Sequence, residues 1–243
     1  AYIPLADFEK SKTGSGYSGC EDPRLTIIYE HVYMLYTAYD GTNPPRVAFT
    51  SISVKDFLAC RWEKWAPPVL ITGPDISNKD ACIFPEKIKG KYAFIHRIEP
   101  DIVYDFVDDL DFAKTGRFLE VKGKIAPRID RWDSEKIGIN TAPVKTPGGW
   151  LILYHGLSRV DRHYRLGALL LDLKDPRKVI GRSPYPILQP ETLFERRGTV
   201  PNVVFPCGMV TAGDTLYTYY GAADTVIGVA TGLHDVTAGI ASG

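Results

Sequence analysis

Ala142-Pro143-Val144-Lys145-Thr146-Pro147-Gly148-Gly149-Trp150-Leu151-Ile152-Leu153-Tyr154-His155 decides the fold class. A proline opens a short apolar stretch, a Gly-rich turn breaks it, and an aromatic-rich run with strand propensity follows. The pattern recurs three more times. Pro23–Ile28 leads into Val32–Tyr36; Phe84-Pro85 leads through Lys89-Gly90-Lys91 into Tyr92–His96; Phe205-Pro206 leads through Gly213-Asp214 into Leu216–Tyr220. The marker prolines stand at 23, 85, 143 and 206, at intervals of 62, 58 and 63 residues. Each hairpin is followed by a further strand-like run, such as Arg46–Ser51 or Arg165–Leu171. A steady long period of antiparallel hairpins predicts an all-β fold made of propeller blades. A β-sandwich would alternate hairpins without holding such a period. The repeats fall near residues 21–77, 78–135, 136–200 and 201–243, within a single domain spanning 1–243. The long stretch from Val107 to Asp133 is expected to be a connection, Lys10–Gly16 a flexible loop or arm, and residues 1–20 carry little strand signal.

Composition narrows the function. The 243 residues carry 29 Lys+Arg against 29 Asp+Glu, so no bulk charge draws the chain to nucleic acid or to an anionic membrane. There is no basic stripe, and no apolar run approaches a membrane-spanning length. An anion would have to be held by a local cluster. The aromatics (14 Tyr, 10 Phe, 4 Trp) suit strand cores first and sugar faces second. Cys20, Cys60, Cys82 and Cys207 show no C-x-x-C pair and no metal-ligand spacing, which predicts neither disulfides nor zinc and favours a reducing compartment. With no signal peptide in the sequence, a cytoplasmic location is the expectation.

The polar residues fall in a pattern. In an antiparallel hairpin, the start of the first strand and the end of the second share an edge. Ahead of the prolines stand Glu21-Asp22, Asn78-Lys79-Asp80, Lys136 with Asn140, and Asn202; after the second strands stand Asp40, His96-Arg97, His155 and Asp224, with Tyr164 opening the next strand. Repeated around an axis, these residues are expected to line one mouth, several carboxylates beside several cations. Taken singly, each has a plainer role. Asp22, Asn78 and Asn140 suit turns, Lys136 suits a solvated surface, and His96 and His155 suit buried histidines with one hydrogen bond. Arg97 has Glu99 nearby in sequence, Arg24 has Glu21, and Asp224 suits a turn cap.

Together the stretches Gly19-Cys20-Glu21-Asp22-Pro23-Arg24, Asn78-Lys79-Asp80-Ala81, Phe84–Ile88, His96-Arg97, Lys136-Ile137-Gly138, Gly149–Gly156, Tyr164–Ala168, Val200–Pro206 and Tyr219–Asp224 resemble glycoside hydrolase family 130, the β-mannoside phosphorylases and related β-mannosidases. The likeness runs in order from about residue 19 to 231. It implies a five-bladed β-propeller whose N-terminal blade is incomplete or missing in this chain. It also implies an inverting phosphorolysis of β-mannosides to mannose 1-phosphate. By the same resemblance Asp22 is the general acid, Asn78, Arg97, Lys136, His155 and Tyr164 bind phosphate, and Asp80 and Asp224 bind the mannosyl ring. Inorganic phosphate is then the co-substrate, a β-mannoside oligosaccharide the substrate, and no metal or organic cofactor is implied. A cation beside Asp22 would lower its pKa, so burial or the carboxylates of Glu21 or Asp80 must oppose it. Two other readings stand beside this one: a β-mannosidase of the same fold, and a non-catalytic glycan-binding propeller. The presence of all the cations favours phosphate. The sugar linkage and pairing in a homo-oligomer stay open.

Overall fold

The computed structural model describes residues 1–14 and 18–233. Part of the expected 10–16 loop and the end of the fourth repeat lie outside the described residues. Four successive sheets follow the four repeats. The first contains β1 (Gly19–Ile28), β2 (His31–Tyr39), β3 (Arg46–Ser53) and β4 (Val69–Leu70). The second contains β5 (Lys79–Ile83), β6 (Tyr92–Ile98), β7 (Asp101–Val107) and β8 (Gly123–Ile125). The third contains β9 (Lys136–Ile139), β10 (Val144–Thr146), β11 (Gly149–Leu157), β12 (Tyr164–Leu171) and β13 (Val179–Arg182), and the fourth β14 (Val204–Ala212), β15 (Thr215–Ala222) and β16 (Val226–Leu233). Neighbours in sequence pair antiparallel, as hairpins require. The fold is all-β, in blade-like sheets, and a fifth sheet is not among the described residues.

Two compact units result: Ala1–Glu99 with Val103–Gly123, and Pro100–Ile102 with the chain from Lys124 onward. In the first unit the facing sides of its sheets bury Ile28, Leu35, Val47, Phe49 and Ile71 against Ala81, Ile83, Phe94, Val107 and Phe112. Phe49, Phe94 and Phe112 meet edge to face, with centroids 5.6 to 6.4 Å apart. In the second unit Leu151, Leu153, Leu166, Ala168 and Leu170 form one cluster and Val204, Tyr220 and Ala222 another, with Leu188 against both. Each fully buried apolar side chain contributes on the order of 1.5–3 kcal/mol.

The expected 107–133 connection holds a short helix, Phe112–Thr115, before β8. In the third repeat the first strand is split. β9 and β10 both pair with β11, and the break at Asn140–Pro143 is spanned by the Asn140 amide on the Leu153 carbonyl. Pro143 has no N–H to give the ladder, so the strand resumes only at Val144.

Of residues 1–20, expected to carry little strand signal, Gly19 and Cys20 open β1; the described residues 1–14 form no strand, but they are not idle. A turn at Asp7–Glu9 buries Glu9, whose Oε2 accepts from the amides of Leu5 (2.8 Å) and Ala6 (2.7 Å), while Oε1 accepts from Tyr2 (2.6 Å) and Tyr36. In the second unit Glu195 repeats the device: amides of Glu191 (2.8 Å) and Thr192 (2.7 Å) on Oε2, and Tyr220 (2.8 Å) on Oε1. A third buried carboxylate, Asp133, accepts from Tyr154 at 2.7 Å. Tyr36, Tyr154 and Tyr220 sit on β2, β11 and β15, so three of the four sheets are pinned to a preceding loop by a charge-assisted hydrogen bond.

Candidate active site

In the first unit the site is built on two β-bulges. The β1–β2 register shifts between Glu21 and Arg24, and the β5–β6 register shifts between Lys79 and Cys82. The first of the two residues inside each bulge is an aspartate in left-handed backbone: Asp22 at φ 53° and Asp80 at φ 51°. Asp tolerates this region better than most residues, and a bulge re-aims the side chain out of the strand's alternation. Two carboxylates from two repeats are thereby turned out of their ladders by the same local device.

Arg24 joins them. It is 1% exposed, donating from one guanidinium nitrogen to the Asp22 carbonyl (2.7 Å) and from the other to Asp80 Oδ1 (3.3 Å). Asp80 Oδ2 lies 2.9 Å from Arg97, which also reaches Glu99 at 3.5 Å. Glu21 is paired with Lys79 at 2.8 Å. The expected Arg24–Glu21 pair is therefore corrected: Arg24 follows the bulge inward as a buried residue, and the half-buried Glu21 takes the cation of the next repeat. Asp22 is half-buried, and its carboxyl is held above the usual carboxylate range. Burial is the largest cause; Arg24 pulls the other way, Asp80 pushes up, Lys79 pulls down, and Glu21 pushes up. Asn78, at the head of the same bulge, is buried, and its Oδ1 lies 2.9 Å from Nδ1 of His96. Burial pushes the His96 imidazole down to about 4, against a smaller opposing pull from the Glu120 backbone, so the ring is neutral at pH 7.

The second unit brings together Lys136, His155 and Tyr164. Lys136 opens β9 and lies in register with Leu157, while His155 on β11 pairs with Gly138 on one side and Leu166 on the other. The Lys136 ammonium stands 5.9 Å from the Tyr164 ring centroid, within cation–π range. The His155 ring is packed against Tyr164 (5.7 Å) and Phe205 (4.6 Å). Its Nδ1 is 3.1 Å from Asn140 Oδ1, and Asn140 Nδ2 donates to the Pro206 carbonyl at 2.6 Å. Asp224 is exposed in the turn leaving β15, with Ala223 and Asp224 both left-handed (φ 47° and 49°).

Sequence reading did not find Arg24 as the partner of Asp80, fifty-six residues away, nor Phe205 as a wall of the His155 pocket. A strand pattern assigns Phe205 to the core, and proximity in sequence pairs Arg24 with Glu21. The Asn–His pairing had one signal: each histidine's repeat also carries an asparagine near its first strand. Among the described residues no group of three or more His, Cys, Asp or Glu side chains is placed to hold a metal ion, and all four cysteines are free. No helix of the described residues is long and apolar enough to cross a membrane.

Comparison with known proteins agrees with these motifs. The model of glycoside hydrolase family 130, described as beta-1,4-mannooligosaccharide phosphorylase, matches residues 10–237. The chain is 42% identical over 220 residues to the 1,2-beta-oligomannan phosphorylase of Thermoanaerobacter sp. (strain X514), covering 90% of this chain and 70% of that protein. It is 45% identical over 217 residues to the beta-1,2-mannobiose phosphorylase of the same organism, covering 87% of this chain and 66% of that one. Among solved structures, the beta-1,2-mannobiose phosphorylase from Listeria innocua in complex with beta-1,2-mannobiose aligns with a TM-score of 0.75 at 33% identity. That alignment covers 91% of this chain and 60% of the other. The chain thus spans 60 to 70% of the length of these relatives. By the extent of the family match and the identity to its members, the chain belongs to glycoside hydrolase family 130.

Proposed function

We propose that this chain is an inverting phosphorylase of β-1,2-linked mannosides, in which inorganic phosphate attacks the anomeric carbon and α-mannose 1-phosphate is released. The observation that carries the reading is the state of Asp22. A general acid must keep its proton until the leaving oxygen takes it, and burial, aided by Asp80 and Glu21 against Arg24 and Lys79, shifts the Asp22 carboxyl upward, the direction that role requires. Phosphate is already an anion, so the reaction needs no protein carboxylate as base. It needs cations and donors, which this reading draws from Arg97, Lys136, His155, Tyr164 and Asn78.

Asp80 and Asp224 bind the mannosyl ring in this reading. Asp80 has an arginine on each oxygen, so it meets the sugar with its remaining lone pairs and at the same time fixes Arg97 for the anion. The β-1,2 linkage rests on the names of the relatives at 42 and 45% identity. The reading further takes the sheets as consecutive blades of one five-bladed propeller domain and uses no metal or organic cofactor. A sugar phosphate serves a cell where it can be metabolised, which supports a cytoplasmic location.

The test is product analysis on β-1,2-mannobiose. Mannose 1-phosphate should appear in step with added phosphate, with turnover falling to background in phosphate-free buffer. Equal release of free mannose with and without phosphate would replace the phosphorylase with a hydrolase.

A further inference from the structure

A groove of about 670 Å³ opens on the second unit, and none of the site residues described above lines it. Its walls come from three loops. Trp132 lies in the one that leads into Lys136 at the head of β9, and Ser158 and Asp161 lie in the one that joins β11 to Tyr164 at the head of β12. Tyr185 stands in the third, after β13, and is 73% exposed. It is nevertheless held in place. It sits between Pro184 and Pro186, and its segment is tied to β12 by the Ser183 amide on the Ala168 carbonyl (2.9 Å) and the Ile187 amide on the Leu166 carbonyl (2.8 Å). Trp132 is seated on two glycines: a Cβ at Gly156 would stand 2.8 Å from its ring and one at Gly167 2.6 Å, with the Tyr154 ring packed at 5.5 Å. Two aromatic side chains are thus fixed at the groove before anything binds. Beside them Asp161 takes both terminal nitrogens of Arg165, one of them at 3.0 Å. Asp130 and Arg131 complete the charged lining, two carboxylates against two guanidinium groups.

Aromatic faces suit the C–H faces of a pyranose, a carboxylate–guanidinium pair suits neighbouring hydroxyls, and balanced charge selects a neutral ligand over an anion. We infer that this groove binds mannosyl units of a β-linked oligomannoside beyond the pair at the scissile bond, so that chain length is read here. The inference rests on the phosphorylase reading and names where its longer substrates lie. Tyr185 is the stacking platform, and the Asp161–Arg165 fork meets the hydroxyls with the lone pairs and donors that the pair leaves over. Two of the walls run directly into Lys136 and Tyr164, the residues that reading assigns to phosphate. No bond is made or broken in the groove; its contribution is affinity for the longer chain.

Calorimetric titration of the full chain with β-1,2-mannobiose and β-1,2-mannotetraose, without phosphate, reads the groove apart from turnover. The tetraose should bind about fivefold more tightly, the size of one aromatic contact, and Tyr185→Ala should erase that gain while leaving mannobiose affinity unchanged. At 73% exposure the substitution does not threaten the fold. In kinetics the same variant should raise KM for the tetraose about fivefold, with kcat and mannobiose phosphorolysis as in the unaltered protein. No binding of the tetraose, equal affinity for the two sugars, or a gain that survives Tyr185→Ala overturns the inference. Sedimentation showing that Tyr185→Ala dissociates an oligomer of the unaltered protein assigns the groove to a second copy and overturns it likewise. Tyr185-dependent binding of the tetraose by a protein that releases no mannose 1-phosphate leaves the groove standing and removes the phosphorylase reading instead.

Discussion

Replacing Arg24 by Met tests whether the two bulges are clamped by one buried cation. Methionine keeps most of the length and apolar volume of the arginine stem and removes its charge and donors. Breaking a buried ion pair costs about 3–5 kcal/mol because a desolvated charge is left behind. Here Asp80 keeps Arg97 at 2.9 Å, which places the loss near the lower end, about 3 kcal/mol. The Asp22 carbonyl also loses its 2.7 Å donor, adding about 1 kcal/mol. Urea unfolding at pH 7 should therefore show a loss of about 4 kcal/mol, within the 5–15 kcal/mol total of ordinary domains, so a folded variant remains for assay. Arg24 is also the strongest pull downward on the Asp22 pKa. Without it Asp22 holds its proton to higher pH, and the alkaline limb of the pH–rate profile should move upward. A stability loss below 1 kcal/mol, or an alkaline limb that stays or moves down, would refute the clamp.

Asp22→Asn should keep the fold, because Asn accepts the left-handed backbone at φ 53°, and should lower turnover about 10²–10⁴-fold, measured as mannose 1-phosphate release. His96 has a folded pKa of about 4 against 6.5 unfolded, so its contribution is flat above pH 6.5 and destabilising as pH falls from there towards 4. It should cost about 3 kcal/mol by pH 4, read as the part of the acid-induced loss of stability that His96→Gln removes. Tyr220→Phe leaves Glu195 Oε1 short of its 2.8 Å donor and should cost about 1–3 kcal/mol in denaturant unfolding. Leu153→Ala, at 1% exposure in the second unit's core, should cost about 2–5 kcal/mol by the same measurement.

Much of this was legible in the sequence because hairpins write their strands and turns locally. The prolines at 23, 85, 143 and 206 each fall in or beside the first strand of a sheet, and the aromatic runs became β2, β6, β11 and β15. The split of the third repeat's first strand into β9 and β10 was not legible, since nothing local says that Asn140 leaves the ladder for Pro206. The bulges were equally silent. Asp22-Pro23 reads as a turn, yet it lies inside a ten-residue strand, where the left-handed aspartate is paid for by Arg24 and by pairing on either side. The opposing effects of Glu21 and Asp80 on Asp22 followed from chemistry alone. Which arginine met which carboxylate did not, because burial and not sequence proximity sorted Arg24 to Asp80 and Lys79 to Glu21.

The central claim is that phosphate is the nucleophile and Asp22 the acid on one mannoside. A crystal structure of the Asp22→Asn protein with inorganic phosphate and β-1,2-mannobiose tests it most directly. A single phosphate should lie within hydrogen-bonding distance of Arg97, Lys136 and His155, on the face of the sugar opposite the glycosidic oxygen. Residue 22 should stand on the leaving-group side. Phosphate bound away from those three residues, or on the same face as residue 22, would contradict the account.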